Sequence, residues 1–189
     1  MKTDVLLLDS LKKFYGDKEN SDKLRSILID GKLISLRSID WFITNYSKKN
    51  NICYLLYEKE TNKYSFSGKN NKFHLGLNVY HSYKSQLKAY SKKRFDPFCR
   101  RDRLEFKVGD HIIETTIGQL NFFKWAIKNL VIDYIVNHKT EIETDMNNSL
   151  KKTKGVGIKK GDRKKRQELS LSATRGLNYN RVPIQLDFN

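Results

Sequence analysis

Six cations crowd one fifteen-residue stretch, AYSKKRFDPFCRRDR at 89–103. Lys92, Lys93, Arg94, Arg100, Arg101 and Arg103 flank an apolar knot of Phe95, Pro97, Phe98 and Cys99. Two kinds of chemistry suit this pattern. The ammonium and guanidinium groups can neutralise phosphates while a phenylalanine ring stacks on a base or sugar. Alternatively, the phenylalanines are buried as a plug and the arginines pair with Asp96, Asp102 and Glu105, so that the stretch turns a corner between two elements. The two are compatible, because a corner anchored by phenylalanine presents its cations on a rigid support.

A second basic run, KKTKGVGIKKGDRKKRQE at 151–168, holds nine cations among three glycines. They are Lys151, Lys152, Lys154, Lys159, Lys160, Arg163, Lys164, Lys165 and Arg166. The run suits phosphate neutralisation, a nuclear-localisation-like tract or a solvated linker. Its GVGIKKG is not a phosphate-cradling loop, since the Gly-x4-Gly-Lys-Ser/Thr order and a preceding strand are missing.

Catalytic groupings are thin. His74, His81, His111 and His138 are scattered, and none stands at a metal-ligand spacing from Cys53 or Cys99. His111 and Glu114 fall on opposite faces of one predicted strand, and Asp133 and His138, five apart, share no helix face. Glu141 and Asp145, four apart, fit a solvated helix surface better than an acid/base pair. Cys99 lies among arginines, but a cysteine nucleophile also needs a positioned base. The expectation is a non-enzymatic protein with no metal and no cofactor.

The elements that must position these residues follow from periodicity. Leu7, Leu8, Leu11, Phe14 and Tyr15 predict a helix over 4–15 ended by Gly16, and Ser21 is the expected cap of a short second helix. Ser35 is the expected cap of a third, carrying Leu36, Ile39, Phe42, Ile43 and Tyr46. From 52 to 116 the period changes to that of strands: ICYLLYE, KYSFS and KFHLGLNVY, then a hairpin of RLEFKV and HIIETT across Gly109-Asp110. A short helix carrying Leu87 and Tyr90 precedes Pro97, which stops it. Thr116 to Gln119 has the form of a capping box. The following stretch, 117–138, is predicted as one long helix, apolar on more than one face, which makes it a core helix or a self-association face.

The chain has 189 residues, a formal net charge of +16 and 38% apolar residues. Residues 151–189 hold 11 Lys/Arg against 3 Asp/Glu, and residues 1–150 hold 26 against 18, so the expected folded part is basic in its own right. Such an excess favours a polyanionic partner. No run approaches the ~20 apolar residues of a membrane span, no secretory leader is recognised at the N-terminus, and both cysteines are expected to be reduced.

Four stretches carry a resemblance: SLRSIDWFITNYSKKNN at 35–51, YKSQLKAYSKKRFDPFCRR at 83–101, ETTIGQLNFFKWAIKNLVIDYIVNH at 114–138 and RKKRQELSLSATRGLNYNRVPIQLDF at 163–188. Together they resemble an uncharacterised family of large nucleocytoplasmic DNA viruses, the algal-virus and mimivirus-like giant viruses. The resemblance implies viral origin and a place in the virion, in infected cytoplasm (the viral factory) or in both; secretion is not expected, because no leader is recognised. It implies no activity.

The expected architecture is α+β: N-terminal helices, a small antiparallel sheet, a long apolar helix packed on it, and a basic flexible C-terminal tail. The expected divisions are a compact domain at 1–150, a basic linker at 151–168 and a docking segment at 169–189, whose RVPIQLDF alternates like an edge strand. The expected function is sequence-independent contact with DNA or RNA, in the virion interior or the replication and transcription machinery. The alternative is a capsid or assembly protein whose C-terminal arm docks on neighbouring subunits. A viral protein partner, or self-association through 117–138 or the C-terminal segment, belongs to that alternative.

Overall fold

The computed structural model describes residues 2–31, 34–59, 63–66, 72–100 and 102–155. Arg101 and residues 156–189 lie outside the described residues, and with them Lys159, Lys160, Arg163, Lys164, Lys165, Arg166 and the expected docking segment. The chain divides into two units, Met1–Lys151 and Lys152–Asn189.

Helix α1, Lys2–Tyr15, buries Leu11 and Tyr15 and packs Leu7, Leu8 and Phe14 half-buried beside them, as its spacing predicts. Helix α2, Lys18–Leu28, begins a turn earlier than expected. Its cap is Asp17, whose carboxylate accepts the Asn20 N–H at 3.2 Å, while Ser21 is buried within the helix. Asp17 directly follows Gly16, so the chain turns in two residues and needs no longer loop.

Ser35 caps α3, Leu36–Trp41, by accepting the Ser38 N–H at 3.0 Å. The helix then widens into a π turn, Phe42–Tyr46, before closing as α4, Ser47–Lys49. The extra residue in that turn lets the adjacent Phe42 and Ile43 both face the core.

The strands form two sheets where one was expected. β1 (Cys53–Glu58), β2 (Tyr64–Ser65) and β3 (Lys72–Asn78) give an antiparallel sheet of order β2-β1-β3. β4 (Arg103–Val108) and β5 (His111–Thr116) form a separate hairpin, turned at Gly109 with φ 59°. Phe106, Val108 and Ile113 face inward from it. The third strand stops at Asn78 because its side chain accepts the His81 N–H at 3.0 Å, which starts helix α5, Val79–Arg94. The helix is interrupted at Ser91, whose φ of 58° is not helical.

The long helix expected over 117–138 is two helices, α6 (Ile117–Lys128) and α7 (Val131–Asn137). Leu130 separates them in the left-handed region, φ 55°, at a backbone cost of about 1–2 kcal/mol. One straight helix can turn only one stripe inward. The break lets α6 bury Leu120, Phe122, Phe123 and Trp125 while α7 buries Val131, Ile132 and Ile135. Phe122, Trp125 and Ile132, which widened the apolar stripe, are thus covered by the chain itself, while Val136 is 38% exposed. Helix α6 packs against α1, α2, α5, α7 and β5, which places it at the centre of the unit. Helix α8, Lys139–Gly155, runs past residue 150 and takes Lys151, Lys152 and Lys154 into a helix.

Candidate nucleic-acid interface

The 94–103 corner is clamped onto the start of α6. Phe95 is buried among Tyr83, Phe122 and Trp125, with ring centroids 5.9, 5.3 and 5.7 Å away. Gln119 Nε2 donates to the Pro97 carbonyl at 2.9 Å, and Asn121 Nδ2 donates to the Arg94 carbonyl at 3.0 Å. Thr116 accepts the Gln119 N–H as the capping box predicts, but the Gln119 side chain turns to Pro97 and Thr115. Gly118 permits this close approach, since a Cβ there would stand 3.0 Å from the Lys93 carbonyl oxygen and 3.4 Å from the Phe95 nitrogen. Gly118→Ala is expected to destabilise the protein by about 1–3 kcal/mol in denaturant unfolding, because backbone on both sides must move.

Three of the predicted cations serve this corner. Asp96 is buried; its carboxylate accepts the Phe98 N–H at 3.2 Å and both Nε and Nη2 of Arg100, at 3.1 and 2.9 Å. The Arg100 guanidinium also lies 4.6 Å from the centre of the Phe98 ring. Arg94 holds Asp4 of α1 through Nε at 2.6 Å, which keeps that carboxyl below its ordinary pKa. Arg103 donates to Glu114 across the hairpin at 2.5 Å. The pairing with Asp96 matches the corner reading, whereas Asp4 and Glu114 were not foreseen as partners. Lys92 and Lys93 are exposed and make no ion pair among the described residues.

Asp40, half-buried nearby, has its pKa raised by desolvation, which the Arg100 charge opposes. The folded state therefore holds this proton above the unfolded carboxyl value of about 3.9. Stability falls as pH rises from that value through the raised one. Asp40→Asn is expected to raise the melting temperature at pH 7, with the difference vanishing below about pH 3.

Helix α5 carries the basic surface that sequence periodicity left unremarked. Its sixteen residues include Lys84, Lys88, Lys92, Lys93 and Arg94 and no acid. His81, Lys84 and Lys88 recur at three- and four-residue steps and are all exposed, so they form one ridge, and the exposed Lys92 follows just past the break at Ser91. Lys48 of α4 extends it, its Nζ lying 5.6 Å from the centre of the Tyr80 ring. None of these lysines meets a carboxylate among the described residues. The signal was present in the composition of residues 79–94, but it is spread over four turns while the 92–103 cluster is contiguous.

The carboxylates weighed for catalysis have partners within the fold. Asp133 accepts from Lys23 at 3.1 Å, Asp145 from Trp41 Nε1 at 3.2 Å, and Glu141 lies 3.5 Å from His138. Cys53 and Cys99 are free. Among the described residues, no helix is long and apolar enough to cross a membrane.

The sequence profile of a family of unknown function, DUF7197, matches residues 1–160. The "Uncharacterized protein L507" of Acanthamoeba polyphaga mimivirus is 40% identical over 158 residues, covering 80% of this chain and 56% of that protein. The chain thus spans little more than half the length of this relative. No solved structure matches it.

Proposed function

Since the chain belongs to DUF7197, a family of unknown function, and is related to a giant-virus protein, its own surface must carry the argument, and we propose that it contacts nucleic acid without catalysing a reaction. The exposed lysines of α5 carry this reading: Lys84, Lys88, Lys92 and Lys93 make no ion pair among the described residues and stand on a helix that holds no acid. Cations without carboxylate partners are the ones free to replace counterions on a phosphate backbone. The nine cations between Lys151 and Arg166 add to the same chain's affinity for polyanions. Lysine contacts of this kind neutralise phosphates but read no base edges, so binding is sequence-independent. The setting that fits is the virion interior or the viral replication and transcription machinery.

The test is fluorescence anisotropy of the full chain with labelled duplex DNA and single-stranded RNA, over a salt series. The expected result is binding at about 50 mM salt that weakens steeply and log-linearly toward 200 mM. Absence of binding at the lower salt, or affinity indifferent to salt, would sink the proposal and leave an assembly role as the reading to pursue.

A further inference from the structure

Five lysines converge on a concavity far from the sequence motifs. Lys23 of α2, Lys59 and Lys63 on either side of the β1–β2 turn, and Lys124 and Lys128 of α6 line a cavity of about 300 Å³. Glu19 is the one acid in its lining among the described residues. Two of the lysines are already matched: Lys63 reaches Glu19 at 2.7 Å and Asp17 at 3.2 Å, and Lys23 reaches Asp133 at 3.1 Å. Lys59, Lys124 and Lys128 make no carboxylate contact among the described residues. Asn20 also lines the cavity, and the rest of the wall is apolar and aromatic, from Phe14, Tyr64, Ile127 and Leu130.

We infer that this cavity binds a phosphate ester of nucleotide size, its phosphates held by Lys59, Lys124 and Lys128 and its ring lying against the apolar wall. The volume is at the lower end of the range for small-molecule sites, about 300–1,000 Å³, and admits a compact ligand. Three unmatched ammonium groups call for a multivalent anion. Lysine serves phosphates as a point charge, whereas a planar carboxylate would favour arginine. Lys124 carries a charge that no carboxylate among the described residues meets. It is half-buried one turn from Lys128, which lowers its pKa through desolvation first and then the neighbouring charge. Among the described residues its ammonium meets the Ser10 hydroxyl, at 2.7 Å, and the face of Phe14, 5.7 Å from the ring centre. A phosphate would supply a counter-charge. The site is independent of the α5 ridge, with which it shares no residue.

The phosphate has two possible sources, a free nucleotide or the phosphorylated end of a strand. Isothermal titration of the full chain at low salt separates them, using inorganic triphosphate, adenosine triphosphate, and a 5′-phosphorylated trinucleotide beside its 5′-hydroxyl form. The expected result is saturable binding that weakens tenfold or more in K124M/K128M and measurably in K59Q, and is unchanged in K12Q/K107Q, which changes two exposed lysines outside both the cavity and the α5 ridge. K59Q keeps the test valid if the α6 variant folds poorly, because Lys59 is exposed. A preference for the 5′-phosphorylated over the 5′-hydroxyl trinucleotide assigns the site to strand ends; tighter binding of the free nucleotide assigns it to small molecules. No saturable binding of any probe up to about 10 mM, a Kd corresponding to roughly −3 kcal/mol, overturns the inference. So does equal weakening in K59Q and K12Q/K107Q, which would mark diffuse attraction to a basic protein.

Discussion

Phe95→Ala is expected to destabilise the protein by about 3–5 kcal/mol, the range for removing a buried aromatic ring. The ring is 1% exposed and sits in a cluster with Tyr83, Tyr90, Phe122 and Trp125. The void cannot close easily. Asp96 and Pro97, next in the chain, are held to α6 by the Gly118 carbonyl and the Gln119 side chain, at 3.3 and 2.9 Å. Domains are typically stable by about 5–15 kcal/mol, so the loss is a large fraction of the whole. Urea unfolding followed by tryptophan fluorescence measures it directly, since Trp125 packs on the ring. A loss below about 1 kcal/mol would show that the corner is not a fixed part of the core.

The second large effect is on binding. Changing Lys84, Lys88 and Lys92 together to glutamine is expected to lower affinity for duplex DNA at least about tenfold near 0.1 M salt. The slope of log affinity against log salt should flatten by about 2.7 for three lost phosphate contacts. Arg100→Gln should behave differently. It removes the partner of a buried Asp96 carboxylate, so it should lower the unfolding midpoint while leaving the salt slope nearly unchanged. Such opposite responses would distinguish a binding ridge from a structural corner that shares its charge. If Arg100→Gln flattens the slope and the lysine variant does not, the interface belongs to the corner and not to α5.

Much of this molecule follows from local chemistry. The period of Leu7, Leu11 and Tyr15 makes α1, Ser35 and Thr116 cap where hydroxyls at those positions should, and Gly109-Asp110 turns the hairpin. Each of these depends on a few residues adjacent in sequence, so the sequence by itself determines them. It also determines the positive charge and, through its wording, the viral relationship. The break at Leu130 is different in kind. Nothing between 117 and 138 forbids a continuous helix; only the burial gained by turning Val131 and Ile135 inward offsets a left-handed leucine. The division of cations is likewise tertiary. Arg94 is matched by Asp4 from ninety residues away and Arg103 by Glu114, whereas Lys84 and Lys88 meet no acid among the described residues. The lysine cavity gathers side chains from α2, the β1–β2 turn and α6, separations at which sequence spacing carries no signal. Local propensity therefore fixed which elements form, and long-range packing decided which charges are left over for a partner.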